Sequence, residues 1–220
     1  MFVGHYGVSF AAKRVAPTIP LWALFIAVQL LDVIWAPLVL SGIEKVRIVP
    51  GITASNPLDL YYMPYTHSLL AAVLWSGGAL VVYRLLAAQD LVGRAGYVLA
   101  LAVFSHWVLD LVVHRPDLPL YDNTAKVGLG LWNLPSVAFA LEAALLFGGM
   151  WLYLGVARTP ARPMLVFGLV MLAIQAYVFF GPPPVSDTAA ALTALASYAA
   201  FATVVARLER PARATRRGAS

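Results

Sequence analysis

The residues best suited to chemistry in this chain are histidines and carboxylates set in apolar sequence. His106, Asp110 and His114 follow one another at intervals of four residues. On an α-helix each such interval turns the side chain by about 40°, so the three would lie along one stripe of a helix. Imidazole nitrogens and carboxylate oxygens arranged in this way are typical zinc ligands. The simpler alternative is a packed helix in which His106 hydrogen-bonds Asp110.

Further ionisable residues interrupt other apolar runs. Asp32 and Glu142 lie well inside such runs, and His67 lies at the start of one. A carboxylate in hydrocarbon is costly unless it is paired, and the runs contain no Lys or Arg except Arg84, near one end. A proton, a histidine hydrogen bond or a metal ion is therefore needed. For Asp32 the alternative to metal binding is a protonated carboxyl bonded to a neighbouring helix.

The apolar runs themselves predict an integral membrane protein. The 220 residues are 61% hydrophobic and 11% charged, with a mean hydropathy of +0.81, which excludes a soluble globular enzyme, a coiled coil and a disordered chain. Runs of about 20 apolar residues match the thickness of the hydrocarbon core. Six spans are predicted: Pro20 to Leu40, His67 to Leu86, Ala95 to Val113, Leu134 to Val156, Pro163 to Phe180 and Thr188 to Val205.

The six spans predict an all-α, polytopic helical bundle, and the two ends of the chain add a short helix and a basic tail. Residues Gly4 to Arg14 are apolar but too short to cross, so they predict a re-entrant or interfacial helix. Residues 1–206 form one membrane domain, and residues 207–220 form a basic tail that is expected to be disordered beside anionic lipid. The distribution of the 15 Lys and Arg residues predicts an inner-membrane protein with both termini cytoplasmic and no nucleic-acid partner.

The predicted spans bring the ionisable groups to a common depth. Asp32, His106, Asp110 and Glu142 lie about 5 to 12 Å below the outer face at 1.5 Å per residue, and His67 and His114 lie at that face. Spans that alternate in direction can thus enclose one polar pocket. His5 could approach it from the re-entrant helix, although an interfacial histidine with no ligand role is the alternative. Cysteine is absent, so thiolate sites, disulfides and cysteine nucleophiles are excluded.

Four segments resemble the predicted membrane-bound metal-dependent hydrolases, a family distantly similar to zinc-dependent phospholipase C. They are Gly4-His5-Tyr6-Gly7, Leu30-Leu31-Asp32, the run from Tyr65 to Leu70, and the run from Phe104 to Asp110. The resemblance covers about residues 1–133 and implies that His5, Asp32, His67, His106 and Asp110 are metal ligands. Many members have Pro-Asp-x-Asp where this chain has Leu31-Asp32-Val33-Ile34, so one acidic position is missing, and Glu142 could substitute.

A site with these donors predicts hydrolytic chemistry. Zinc is the expected ion, with Mn or Fe as alternatives, in one to three copies. Glu142 or His114 would handle protons, and Arg115 and Lys126 could attract a phosphate headgroup if they are more than solvated loop charges. The expected reaction is cleavage of a phosphoester or ester bond in a lipid or membrane-proximal substrate. Two alternatives stay open: a non-enzymatic subunit of a larger membrane complex, with a structural metal, haem or pigment on histidine, and an ion or proton carrier.

Overall fold

A computed structural model describes residues 1–87, 93–157 and 159–209, and it confirms the all-α membrane bundle. Its described residues form eight α-helices and one short antiparallel hairpin. In chain order the elements are α1 (Gly4–Val15), α2 (Leu21–Val28), α3 (Leu30–Leu40), β1 (Lys45–Ile48), β2 (Leu58–Tyr62), α4 (Leu69–Leu86), α5 (Gly93–Val113), α6 (Pro135–Leu154), α7 (Ala161–Phe180) and α8 (Asp187–Leu208).

The five helices from α4 to α8 are long and apolar enough to cross a membrane, and α2 with α3 makes a sixth candidate. Their bounds lie within a few residues of the predicted spans. This agreement follows from hydropathy, because a helix satisfies all of its backbone hydrogen bonds internally and can therefore cross lipid. The basic tail was predicted to begin at residue 207, but α8 extends to Leu208. Residues 210–220 of the predicted tail lie outside the described part of the chain.

The first predicted span is not one continuous helix. It breaks at Gln29, and α2 and α3 meet at an angle of 55°. The buried Gln29 side chain donates from Nε2 to the carbonyl of Phe2 at 3.2 Å. A helix end leaves its last carbonyls without intrahelical partners, so the break makes the Val28 carbonyl available to another side chain. Hydropathy does not register such a break, because the residues that flank Gln29, from Trp22 to Leu31, are apolar.

The short helix α1 lies inside the bundle, which supports the re-entrant option rather than an interfacial one. Its residues from Gly4 to Gly7 are buried, and it packs closely along α6. Gly7 and Gly149 allow this approach: a Cβ on Gly7 would lie 2.1 Å from the carbonyl oxygen of Leu145. Helix α1 thus begins inside the bundle, and in its last turn the ammonium of Lys13 pairs with Glu209 at 2.7 Å.

Two long segments, one between α3 and α4 and one between α5 and α6, fold over one end of the bundle. The first contains β1 and β2, which pair with Arg47 opposite Asp59. The second, residues 114–130, is joined by a bridge between Leu118 and Val127. Both segments pack on buried side chains, among them Met63 and Leu118. The hairpin was not predicted, because strands of four and five residues carry too little periodicity to stand out.

Candidate metal centre

All four histidines of the chain converge on the carboxylates of Asp110 and Asp32. The residues come from separate elements: His5 from the first turn of α1, Asp32 from the first turn of α3, and His106 and Asp110 from α5. His67 lies two residues before the start of α4, and His114 directly follows α5. Four of the five predicted ligands are almost completely buried, while the Asp32 side chain is 17% exposed. The histidines and the two aspartates that were predicted to meet therefore lie together in one cluster.

Asp110 lies at the middle of the cluster. Its Oδ1 is 3.2 Å from His5 Nε2 and also contacts the Met1 nitrogen. Its Oδ2 is 3.2 Å from His106 Nε2, 3.5 Å from His114 Nε2 and 3.8 Å from His67 Nε2. The helical spacing of four residues accounts for the contacts with His106 and His114, whereas the contacts with His5 and His67 depend on helix packing.

Asp32 forms the second half of the cluster. Its Oδ1 lies 3.2 Å from His67 Nε2 and 3.8 Å from His106 Nε2. Two sets of possible ligands result, each with its atoms within 4.8 Å of one another: His5, His106 and Asp110, and Asp32, His67 and His106. Two ligands at about 2.1 Å from a tetrahedral zinc ion are themselves about 3.4 Å apart. The observed separations are close to that value.

Hydrogen bonds from the opposite side of three rings determine which nitrogen faces the carboxylates. His106 Nδ1 lies 2.7 Å from the Val28 carbonyl at the break between α2 and α3. A carbonyl can only accept, so Nδ1 carries the proton and a neutral ring has its lone pair on Nε2. His114 Nδ1 is held in the same way by Asp117 Oδ1 at 2.8 Å. Such outer partners are typical of metal-bound histidines.

His67 is held through a chain of two further residues. Its Nδ1 lies 2.7 Å from Thr66 Oγ1, and that hydroxyl donates to Glu44 Oε2 at 2.6 Å. Because the hydroxyl proton is directed to Glu44, Thr66 accepts from His67 and leaves its Nε2 lone pair facing Asp32. Burial raises the pKa of Glu44, against the opposing effects of His67 and of the hydrogen bonds from Thr66 and Tyr65.

Buried nitrogens without hydrogen bonds are the feature that favours a cation. Within the described residues, both ring nitrogens of His5 and the Nε2 of His106 have no hydrogen-bond partner, although each Nε2 is 3.2 Å from an Asp110 oxygen. The two rings stack, with centroids 4.0 Å apart. A nitrogen and an oxygen that bind the same ion lie close together without forming a hydrogen bond, because the lone pair of each atom points at the ion. The donor set therefore fits a divalent metal ion.

His114 differs from the other histidines because it belongs to neither set of possible ligands. It continues instead into a charged network of Asp117, Arg115 and Asp59 under the outer loops. Burial lowers the pKa of His114, but the carboxylates of Asp110 and Asp117 outweigh that effect and raise it above its ordinary value. Its protonated form is thus stabilised beside Asp110.

Glu142 is buried but does not join the ligand sets. Its Oε2 accepts from the backbone N–H groups of Phe2 and Gly4 at 2.9 and 3.1 Å, and its Oε1 accepts from Gln175 Nε2 at 3.1 Å. The carboxylate thus satisfies two N–H groups at the start of α1, where a negative charge also complements the helix dipole. Through these bonds Glu142 anchors the start of the helix that carries His5.

Arg115 and Lys126 were predicted to be able to attract a phosphate headgroup. In the structure each of them instead binds a group of the protein itself. Arg115 pairs with Asp59 and, at 3.2 Å, with Asp117. Lys126 donates to the Tyr61 carbonyl at 2.9 Å, and burial lowers its pKa. Two acids hold Arg115 and a backbone carbonyl holds Lys126, so neither is a free cation at the mouth of the site.

Sequence reasoning missed the residues that hold the histidines and Asp32 in place. These are Val28, Glu44, Thr66, Asp117 and Tyr198. The spacing of Asp117 three residues after His114 was a usable signal, as was the Thr66-His67 pair. No sequence signal marked Val28 or Tyr198. Val28 acts through its backbone carbonyl, and Tyr198 reaches Asp32 from a helix far along the chain.

Comparison with protein families, with curated proteins and with solved structures finds no match to this chain. The interpretation of the site therefore depends on its geometry.

Proposed function

We propose that this protein is a metal-dependent hydrolase of the membrane that cleaves a phosphoester or ester bond in a lipid or membrane-proximal substrate. The observation that carries the proposal is the pair of buried Nε2 atoms on His5 and His106, which face carboxylate oxygens without hydrogen bonds in the described structure. His5, Asp32, His67, His106 and Asp110 would hold the ion or ions, as the resemblance to membrane-bound hydrolases also implies. Zinc suits a set of nitrogen and oxygen donors without sulfur.

The residues around the ligands have distinct roles under this proposal. When bound, a divalent ion supplies Lewis acidity toward a phosphoryl or carbonyl oxygen and activates a water molecule near neutral pH. His114 holds or releases a proton at Nε2, beside Asp110 and outside the ligand sets, and Asp117 keeps the ring in one orientation. Glu142 keeps α1 in position through the backbone of Phe2 and Gly4. The proton-handling role expected of Glu142 stays a prediction.

The location of the cluster supports a lipid or membrane-proximal substrate. Asp110 lies one turn from the end of α5, and the loops after α3 and α5 cover the same end of the bundle. A reacting bond near a phospholipid headgroup would lie at about this depth. The positive-inside rule predicts that this is the outer side of the inner membrane.

A structural metal site in a membrane complex is the second candidate, favoured by burial. The side chains of His5, His106 and Asp110 are at most 3% exposed, and structural sites are closed whereas catalytic sites keep a position open. Haem is less compatible, because the His5 and His106 rings stack at 4.0 Å and leave no space for a flat macrocycle between them.

Metal analysis and hydrolysis assays on the detergent-purified full chain test the proposal. We expect about one to three equivalents of a divalent ion, together with release of phosphate, headgroup or fatty acid from mixed phospholipid micelles. Asp110→Asn should abolish both, whereas Asp187→Asn, at the exposed start of α8, should change neither. Metal binding without turnover would favour the structural site, and absence of any metal would reject both candidates.

A further inference from the structure

Tyr198 on α8 contacts one oxygen of Asp32 and leaves the other for the histidines. Its hydroxyl donates to Asp32 Oδ2 at 2.7 Å, while Asp32 Oδ1 is the oxygen that lies 3.2 Å from His67 and 3.8 Å from His106. The hydroxyl meets a carboxylate at the short distance typical of a charge-assisted bond. The two oxygens of Asp32 therefore have different partners: Oδ2 binds Tyr198, and Oδ1 faces the histidines.

The Tyr198 ring is fixed by its surroundings. Its ring centroid lies 6.1 Å from that of Phe2, which in turn stacks on Phe201, one turn further along α8. Helix α8 also packs along α2 and α3, so the hydroxyl and the carboxylate are presented by two helices in direct contact. The hydrogen bond is thus supported by packing on both sides.

We propose that Tyr198 is a positioning residue that restricts Asp32 to binding a metal ion through a single oxygen and thereby favours zinc over manganese. The inference rests on the proposed metal site. A carboxylate with one oxygen in a strong hydrogen bond offers one ligand atom, which suits the four-coordinate geometry of zinc. Manganese favours more oxygen ligands, so it would gain if both oxygens of Asp32 were free.

The test compares two tyrosines that each lose a hydroxyl. Tyr198→Phe removes the hydrogen bond to Asp32. Tyr153 lies in α6 outside the candidate site, and Tyr153→Phe removes its buried hydrogen bond with Thr159. The full chain in detergent is stripped with a chelator and titrated with Zn²⁺ and Mn²⁺ against a chromophoric competitor. We expect Tyr198→Phe to weaken zinc binding by about 10- to 100-fold and to lower the preference for zinc over manganese. Tyr153→Phe should stay within about threefold of the wild type for both ions.

A spectroscopic readout separates positioning from a general structural effect. The visible absorption of bound Co²⁺ is intense in four-coordinate sites and weak in sites with more ligands. We expect it to weaken in Tyr198→Phe and to remain unchanged in Tyr153→Phe. In an Asp32→Ala background, Tyr198→Phe should cause no further loss of zinc affinity, because the carboxylate through which it acts is gone.

The outcomes distinguish this inference from the proposed function. Wild-type protein that binds zinc through Asp32, while Tyr198→Phe keeps the same affinity, zinc preference and Co²⁺ spectrum, would overturn the inference alone. Wild-type protein that binds neither ion would overturn both. If Tyr198→Phe does not fold, X-ray absorption of the zinc-loaded wild type decides the question. A carboxylate bound through one oxygen supports the inference, and one bound through two oxygens overturns it.

Discussion

Replacing Gly149 by alanine is expected to displace His5 from the candidate site, although the two residues lie on different helices. A Cβ on Gly149 would lie 2.0 Å from the carbonyl oxygen of Gly7, two residues after His5 in α1. The adjacent Gly148 provides a matched control, because a Cβ there meets no atom within 4 Å in the described part of the chain. The two substitutions add the same methyl group to neighbouring positions of one helix.

The size of the effect follows from the contact distances. Real Cβ atoms essentially never approach another atom to less than 3.0 Å, so α1 must move away from α6 by about 1 Å. Overpacking of this kind costs about 1 to 3 kcal/mol of unfolding free energy. A metal site tolerates changes in ligand position of only about 0.2 Å, so the shift takes His5 out of ligand range. Gly148→Ala should instead gain up to about 1 kcal/mol in helix propensity.

Thermal unfolding in detergent and zinc titration measure the two effects. Gly149→Ala should lower both the melting temperature and the zinc affinity, the latter by about 10-fold or more, while Gly148→Ala keeps the wild-type affinity. The reasoning is refuted if Gly149→Ala binds zinc as tightly as Gly148→Ala at an equal melting temperature, because α1 would then not be positioned by its contact with α6.

Three further predictions concern the partners of the ligands and the ion itself. Thr66→Val should weaken zinc binding by about 10- to 100-fold by disconnecting His67 from Glu44, whereas Thr203→Val on the exposed side of α8 should not. Glu142→Gln should lower the unfolding free energy by about 1.5 to 3 kcal/mol in a denaturant titration. Its effect on zinc affinity should be smaller than that of Asp110→Asn; an equal loss would mean that Glu142 is a ligand. A chelator should destabilise the wild type by about 2.7 kcal/mol if the ion was present at 100 times its dissociation constant, and Asp110→Asn should not respond.

The fold class and the membership of the cluster could be predicted from sequence because both depend on simple physical rules. Apolar runs of about 20 residues must cross lipid as helices, and the structure confirms their positions. Carboxylates in such runs need partners, and for Asp32 and Asp110 the histidines of the chain provide them. The spacing of His106, Asp110 and His114 also predicted their shared face correctly.

The sequence could not show which groups His106 and Glu142 would hydrogen-bond. The break at Gln29 occurs inside an apolar run, and it gives His106 a backbone acceptor at Val28. The role of Glu142 was also beyond hydropathy, because the same buried carboxylate could be a ligand, a proton carrier or the anchor of α1. The anchoring role became visible only in the contacts of Glu142 with Phe2 and Gly4.

The sequence by itself thus determined which side chains had to face away from lipid and find a partner inside the bundle. The cost of an unpaired charge in hydrocarbon depends on residue type and depth, and both can be read from the sequence. Tertiary structure alone decided the orientation of each side chain. Which ring nitrogen of His67 faces Asp32, and which oxygen of Asp32 faces His67, depends on hydrogen bonds with Thr66 and Tyr198. The Tyr198 bond forms only when α8 packs against α3, and Thr66 accepts from His67 because its own proton is directed to the distant Glu44. The directions of these hydrogen bonds are not encoded in hydropathy or spacing.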